Sequence, residues 1–271
     1  MADPVIGFVG AGRLGEPAAV RLLDAGAPVR LYARRPEVRD RLGRRRAVVV
    51  DTVREAARDA DVLLVFVFSD EQVRELLIGD GGAIAAMRPG TVVLVHTTVA
   101  PRTLDALARA AAPGGIAVVD APVSGNADDV RRGALTVLLG GEPDAVDRCE
   151  KIVAAYADPI LRVGPAGAAM KTKLLNNVLF AAQLQLAAQV AGMAEGLGLD
   201  PMPTLQSLLR CSGASAAMEH MARSGDIAAF AASVGPYLRK DVRACEAASR
   251  ELSLSLGLVG EVAREGPLDI A

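Results

Sequence analysis

Short apolar runs alternate with longer stretches of helical spacing through the first 163 residues. Residues 5–9 (Val-Ile-Gly-Phe-Val) form a continuous apolar run ending in glycines, the pattern of a parallel strand buried on both faces. Residues 16–25 carry helical spacing and close at Gly26. Residues 29–33 predict a second strand, and Pro36 opens a helix, since proline suits a first turn. Further strand-like runs cover 48–50, 61–68, 91–95, 116–123, 134–139 and 160–163. Helices are predicted between most of them: an Ala/Arg-rich one after Asp51-Thr52, one carrying Val73, Leu76 and Leu77 behind a Ser69-Asp70 cap, then 102–112 and 144–156. This alternation predicts βαβ units and a parallel, doubly wound sheet. The pattern changes at Gly164-Pro165-Ala166-Gly167. Beyond it only Ala/Leu-rich helical stretches are predicted, with breaks at 198–203, 211–213, Gly225 and Gly235-Pro236.

Composition narrows this picture. The chain has 271 residues, 51% of them hydrophobic, enough for a sizeable core in one large domain or two modest ones. There is no Trp, so close packing of small side chains is expected. Net charge is −2. The one basic cluster, Arg39, Arg41, Arg44, Arg45 and Arg46, has no aromatic platform beside it and reads as a solvated face, not a nucleic-acid site. Cys149, Cys211 and Cys245 show neither a disulfide framework nor zinc spacing, which fits a reducing, cytoplasmic setting and no metal site. The N-terminus lacks a basic n-region, so no signal peptide is expected. Residues 178–199 are the most apolar stretch but contain Gln183, Gln185, Gln189 and Glu195. A buried helix is expected there, not a membrane span.

Gly10-Ala11-Gly12-Arg13-Leu14-Gly15 matches G-x-G-x-x-G between a strand and a helix, the setting that makes the motif informative. The first glycine permits the tight turn, the second admits a pyrophosphate, and the third lets helix and strand pack closely. A dinucleotide is therefore expected on the N–H groups opening the helix. NAD sites usually place an acid at the tip of the second strand. Here the tip is Arg34-Arg35, with Glu37 beyond Pro36, and two guanidiniums suit a 2′-phosphate. NADP(H) is expected over NAD(H). The fold predicted is α/β: a Rossmann-type doubly wound domain over 1–163 and a smaller all-helical domain over 164–271.

Further segments resemble the β-hydroxyacid dehydrogenase family over nearly the whole chain. Asp120-Ala121-Pro122-Val123-Ser124-Gly125-Asn126 is similar to that family's substrate loop, with Asn126 where glycine is usual. A Ser hydroxyl and successive N–H groups suit a carboxylate. Gly167 to Asn177 resembles the family helix that carries its catalytic lysine before an Asn pair. Lys173 has that spacing and shares a helix face with Asn177, whereas Lys171 is turned away from Lys173 by about 200°. Lys240-Asp241 resembles a family pair whose lysine approaches cofactor and substrate, and Thr98 stands where a hydroxyl meets the nicotinamide side. Phe68, ending the 61–68 strand, and Ser69, just after it, complete the expected cofactor set of Gly10, Ala11, Gly12, Arg13, Leu14, Gly15, Arg34, Arg35, Thr98 and Lys240. His96 only flanks the site.

The resemblance implies hydride transfer between NADP(H) and a small 3-hydroxy acid or its semialdehyde, at a site between the two domains. Ser124, Gly125, Asn126 and Lys240 would hold the substrate, with Lys173 as general acid/base and Asn177 as its partner. A free lysine has a pKa of about 10.4, and burial and a nearby helix N-terminus would both lower it. The long apolar helix after Lys173 implies a homodimer or higher homo-oligomer. Two alternatives stay open: an imine reductase-like NADPH enzyme, which usually carries Asp or Tyr at the Lys173 position, and a cofactor-binding protein without catalysis.

Overall fold

The computed structural model describes residues 3–270. The chain divides into two compact units, Met1–Lys173 and Leu174–Ala271. In the first, strands and helices alternate: β1 (Ile6–Val9), α1 (Gly15–Asp24), β2 (Val29–Tyr32), α2 (Pro36–Gly43), β3 (Val48–Val49), α3 (Val53–Arg58), β4 (Val62–Val65), α4 (Asp70–Ile78), β5 (Val92–Val95), α5 (Pro101–Ala111) and β6 (Ala117–Asp120). Then come β7 (Val123–Ser124), α6 (Ala127–Arg132), β8 (Leu135–Gly140), α7 (Pro143–Val153) and β9 (Ala157–Gly164).

Six strands pair in parallel in the order β3-β2-β1-β4-β5-β6. The predicted doubly wound sheet is therefore present. β1, β4 and β5 are buried along their whole length, as their unbroken apolar runs require. Successive side chains point to opposite faces. Phe8, Leu64 and Leu94 pack into one layer, while Val9, Leu63, Val65 and Val93 pack into the other. The strand order reverses between β2-β1 and β4, and such a switch point opens a crevice at the carboxyl ends of the strands.

The far edge departs from the parallel pattern. The run expected over 116–123 is two strands, because Pro122 has no N–H for the ladder. β8 runs antiparallel to both β6 and β7, and β9 is parallel to β8. Two strands joined through a short helix such as α6 have no long crossover to make them parallel.

The second unit is helical. It holds most of α8 (Ala168–Gly196), together with α9 (Pro201–Leu208), α10 (Ala216–Ser224), α11 (Ile227–Glu251) and α12 (Gly257–Glu265). Val178, Leu184, Leu205, Met221, Leu238 and Val242 form its core. α8 is long and apolar enough to cross a membrane, yet 56% of its most apolar window is buried within the protein. The break expected at Gly235-Pro236 is absent, and α11 continues through both residues. A helix-interior proline costs about 3 kcal/mol. Burial of Phe230, Leu238 and Val242 on either side of it offsets that cost. The expected break at Gly225 is present, with φ of 77° closing α10.

Candidate active site

The glycine turn joins β1 to α1 at the crevice. Gly10 has φ of 94°, and a Cβ there would lie 2.3 Å from the Phe66 carbonyl oxygen. A Cβ on Gly15 would lie 2.0 Å from the Gly10 oxygen. Gly12 instead faces open space. No side chain caps α1 at Leu14. The turn therefore combines two enforced close approaches with an open position and an uncapped helix start, which fits a bound pyrophosphate.

A cleft of about 240 Å³ adjoins this turn, lined in part by Gly10, Gly12, Arg34, Arg35, Phe68 and Gln72. Phe68 is 63% exposed beside it. Both arginines are exposed, but they differ in partners. Arg35 donates from Nη2 to the Ala11 carbonyl at 2.9 Å and lies 3.8 Å from Glu16 and from Glu37. Arg34 pairs with none of the described residues. Of the two, Arg34 keeps its full set of donors for an anionic ligand. Ser69 uses its hydroxyl to cap α4, accepting from Gln72 N–H at 3.3 Å. Arg13 and Asn126 border a second, wider depression that Gly12 and Arg35 also reach.

The ends of β4 and β5 are tied together. Thr97 Oγ1 donates to the Val67 carbonyl at 2.9 Å and accepts from Val67 N–H at 3.0 Å. Asp70 accepts from Ala100 N–H and from Thr103 Oγ1, both at 2.7 Å. These bonds fix the segment carrying Thr98, which is half-buried. His96 lies beneath it, fully enclosed and stacked on Phe66 with ring centroids 4.0 Å apart. Its Nδ1 is 2.7 Å from the Ala121 carbonyl and its Nε2 is 2.8 Å from the Tyr156 hydroxyl. A carbonyl only accepts, so Nδ1 carries the proton and Tyr156 donates to Nε2. Burial lowers the His96 pKa to about 3, leaving the ring neutral. This is a framework histidine flanking the site.

In the substrate-loop segment, Ser124 and Gly125 are exposed, and Gly125 has φ of 133°. Asn126 is the N-cap of α6. Its Oδ1 accepts from Asp128 N–H at 2.8 Å and from Asp129 N–H at 3.3 Å, while its own N–H donates to Asp129 Oδ2 at 2.7 Å. A capping box therefore explains why a side chain replaces glycine here. It also removes the Asn126 main-chain N–H from the expected run of carboxylate donors.

α8 carries the lysines. Lys171 is exposed and Lys173 is half-buried. Asn177 is 5% exposed. Its Oδ1 accepts from Asn176 at 3.3 Å, but its buried Nδ2 has no hydrogen-bond partner. Lys240 is half-buried on α11. The helix N-terminus expected to act on Lys173 is not bare: the carboxylate of Asp120, at the end of β6, accepts from Gly167 and Met170 N–H. Asp120 opens the segment 120–126 and is not among the site residues expected from the sequence. Its only signal was an acid ending an apolar strand, where a buried charge needs donors.

Residues 5–164 match the family model for the NAD binding domain of 6-phosphogluconate dehydrogenase. Residues 167–265 match that for the NAD-binding region of NADP-dependent 3-hydroxyisobutyrate dehydrogenase. An L-threonate dehydrogenase from Cupriavidus necator is 38% identical over 199 residues, covering 72% of this chain and 66% of that protein. An NAD-dependent L-serine dehydrogenase from Pseudomonas aeruginosa is 31% identical, covering 79% of this chain and 72% of that one. Among solved structures, the Mycobacterium tuberculosis 3-hydroxyisobutyrate dehydrogenase with L-serine superposes at a TM-score of 0.85 and 24% identity, covering 97% and 92% of the two chains. The chain belongs to the β-hydroxyacid dehydrogenase family, NAD(P)-dependent oxidoreductases acting on small hydroxy acids.

Proposed function

We propose that this chain interconverts a small 3-hydroxy acid and its semialdehyde with NADP(H), using Lys173 as general acid/base. The observation that carries this reading is the Asn177 amide nitrogen. A buried N–H donor without a partner costs about 1–3 kcal/mol, and native proteins keep few of them. Here it lies one turn from a half-buried lysine on the same helix face, where a substrate hydroxyl would satisfy it.

The glycine turn, Arg34 and Phe68 would hold the dinucleotide, with Arg34 on the 2′-phosphate and Thr98 toward the nicotinamide. When bound, the nicotinamide would supply the hydride on reduction or accept it on oxidation. The chain's own groups do the rest. Ser124 Oγ and the Gly125 backbone anchor the carboxylate, and Asn126 adds only its side-chain nitrogen. Asn177 Nδ2 orients the substrate oxygen. Lys173 Nζ takes the hydroxyl proton on oxidation and returns one on reduction. Lys240 is assigned to substrate and cofactor by resemblance alone. A cytoplasmic homodimer or higher homo-oligomer is part of the same reading.

A panel of 3-hydroxy acids and semialdehydes, assayed with NADPH and NADH in parallel, tests the substrate class and the cofactor preference. Lys173→Ala should cut turnover by about 10²-fold or more while NADPH binding survives. Near-normal turnover in that variant would remove Lys173 from the chemistry. Equal use of both cofactors would remove Arg34 from the 2′-phosphate.

A further inference from the structure

Asp120 is the last residue of β6 and is 1% exposed. Its Oδ1 accepts from Gly167 N–H and its Oδ2 from Met170 N–H, each at 2.7 Å. The nearby N–H groups of Ala169 and of Asp120 itself also favour the charged carboxylate. Since α8 begins at Ala168, Gly167 and Met170 supply N–H groups that a helix start leaves without intrahelical acceptors. Caps normally come from the residue just before the helix. This one comes from a strand 47 positions upstream. Burial favours the protonated acid and raises the Asp120 pKa, and four backbone N–H groups oppose that shift.

The clasp joins two segments that both carry proposed chemistry. The chain continues from Asp120 through Ala121 and Pro122 into Val123-Ser124, the start of the carboxylate-binding loop. On the other side, Met170 is one helical turn before Lys173. A second observation is independent of the bonds themselves. Gly140 ends β8, and a Cβ there would lie 2.7 Å from Asp120 Oδ1, 3.0 Å from Ala169 N and 3.0 Å from the Pro165 oxygen. The glycine at 140 is what lets the carboxylate and the helix start meet.

We propose that Asp120 is a positioning residue that holds the Lys173-bearing turn of α8 in register with the Ser124 loop, and that Gly140 makes the clasp possible. This rests on the reading of Lys173 as acid/base. A catalytic group displaced by about 1 Å can lose on the order of 10²-fold in rate. An ordinary helix cap would stabilise α8 without affecting the distance between two reacting groups.

The test compares Asp120→Asn, Gly140→Ala and Lys173→Ala, with turnover normalised to NADPH-binding sites. Asp120→Asn keeps the size but turns an –NH2 toward amide donors. We expect its kcat to fall about 10- to 10²-fold while the NADPH Kd stays within about twofold of the parent. In the Lys173→Ala background the same change should have little further effect on the residual rate, because residues acting through one another are not additive. Amide hydrogen exchange should quicken over residues 167–173 in Asp120→Asn, with the middle of α8 unchanged. Gly140→Ala should reproduce the kcat loss, and it carries the test should Asp120→Asn fail to fold. Parent-like kcat in a folded, NADPH-binding Asp120→Asn or Gly140→Ala protein overturns the proposal and leaves the function standing. An equal loss in both lysine backgrounds also overturns it. Parent-like turnover in Lys173→Ala overturns the functional reading and this inference together.

Discussion

The two units handle buried polar groups differently. In the α/β unit such groups sit where chain segments turn, and their partners are drawn from far along the sequence. Asp120, Thr97 and His96 each bridge to a residue at least 25 positions away. In the helical unit the two buried amides lie two turns apart on α8. Gln185 is fully used: its Nε2 donates to the Ala263 and Leu268 carbonyls at 3.1 and 2.9 Å, and its Oε1 accepts from Leu268 N–H at 2.8 Å. Asn177 leaves its nitrogen unbonded. A polar group kept for architecture closes its hydrogen bonds within the protein, whereas one kept for a ligand leaves a donor over.

The sharpest way to break that contrast is to remove each amide in turn. Gln185→Ala strands two carbonyls and an N–H where α12 and the segment after it dock, and should cost about 3 kcal/mol in chemical denaturation. Asn177→Ala removes an orphan donor and should change stability by less than about 1 kcal/mol. Turnover should respond in the opposite order, with Asn177→Ala losing about tenfold or more and Gln185→Ala keeping its kcat as long as it stays folded. An Asn177→Ala protein that loses stability as Gln185→Ala does would show that both amides are architectural, and the observation supporting the functional reading would be gone.

The same contrast governs what the sequence made legible. Six parallel strands, the glycine turn and the two-part division follow from periodicity and from G-x-G-x-x-G, because local pattern dictates them. The antiparallel β8 was not legible, since direction depends on how the short α6 connection returns. The continuity of α11 through Pro236 was not legible either, because the burial that outweighs the proline comes from tertiary packing. At the site, Lys173 and Asn177 were singled out by the resemblance of residues 167–177 to the family's lysine helix, and their i, i+4 spacing adds only that they share a face. The cap made by Asn126 was within reach of the sequence, as Asn followed at the third position by Asp129 is a capping signature. The difference between Arg34 and Arg35 was not. Adjacent arginines look alike until one is seen bonded to Ala11.

A milder perturbation sharpens the picture of the α/β unit. His96 is neutral in the fold, with its pKa lowered to about 3 by burial. The unfolded chain takes up a proton near pH 6.5, so stability from this group is complete above that value and is lost as pH falls toward 3. Between pH 7 and pH 5 the loss should reach about 2 kcal/mol, read as the difference in unfolding free energy. His96→Gln should remove that share of the pH dependence. If parent and variant weaken equally on acidification, the ring is not held neutral and the framework role assigned to it fails.

The smallest effect falls in the helical unit, at a glycine nothing crowds. A Cβ at Gly140 or Gly15 would collide with backbone or carboxylate oxygens, but one at Gly192 would meet no atom within 4 Å. Gly192 lies inside α8. There glycine is less favourable than alanine by about 0.5–1 kcal/mol, because it loses more backbone freedom on folding. Gly192→Ala should therefore raise unfolding stability by about that amount and leave turnover unchanged. The opposite sign would be equally informative. Leu179, Leu186 and Met193 are exposed along the same helix. A loss of stability would mean that the face carrying Gly192 is covered in solution, as the proposed homo-oligomer requires, so the measurement should be repeated across protein concentrations. A loss that grows with concentration would locate the covering surface on a second copy, whereas a concentration-independent gain would leave this face of α8 to solvent.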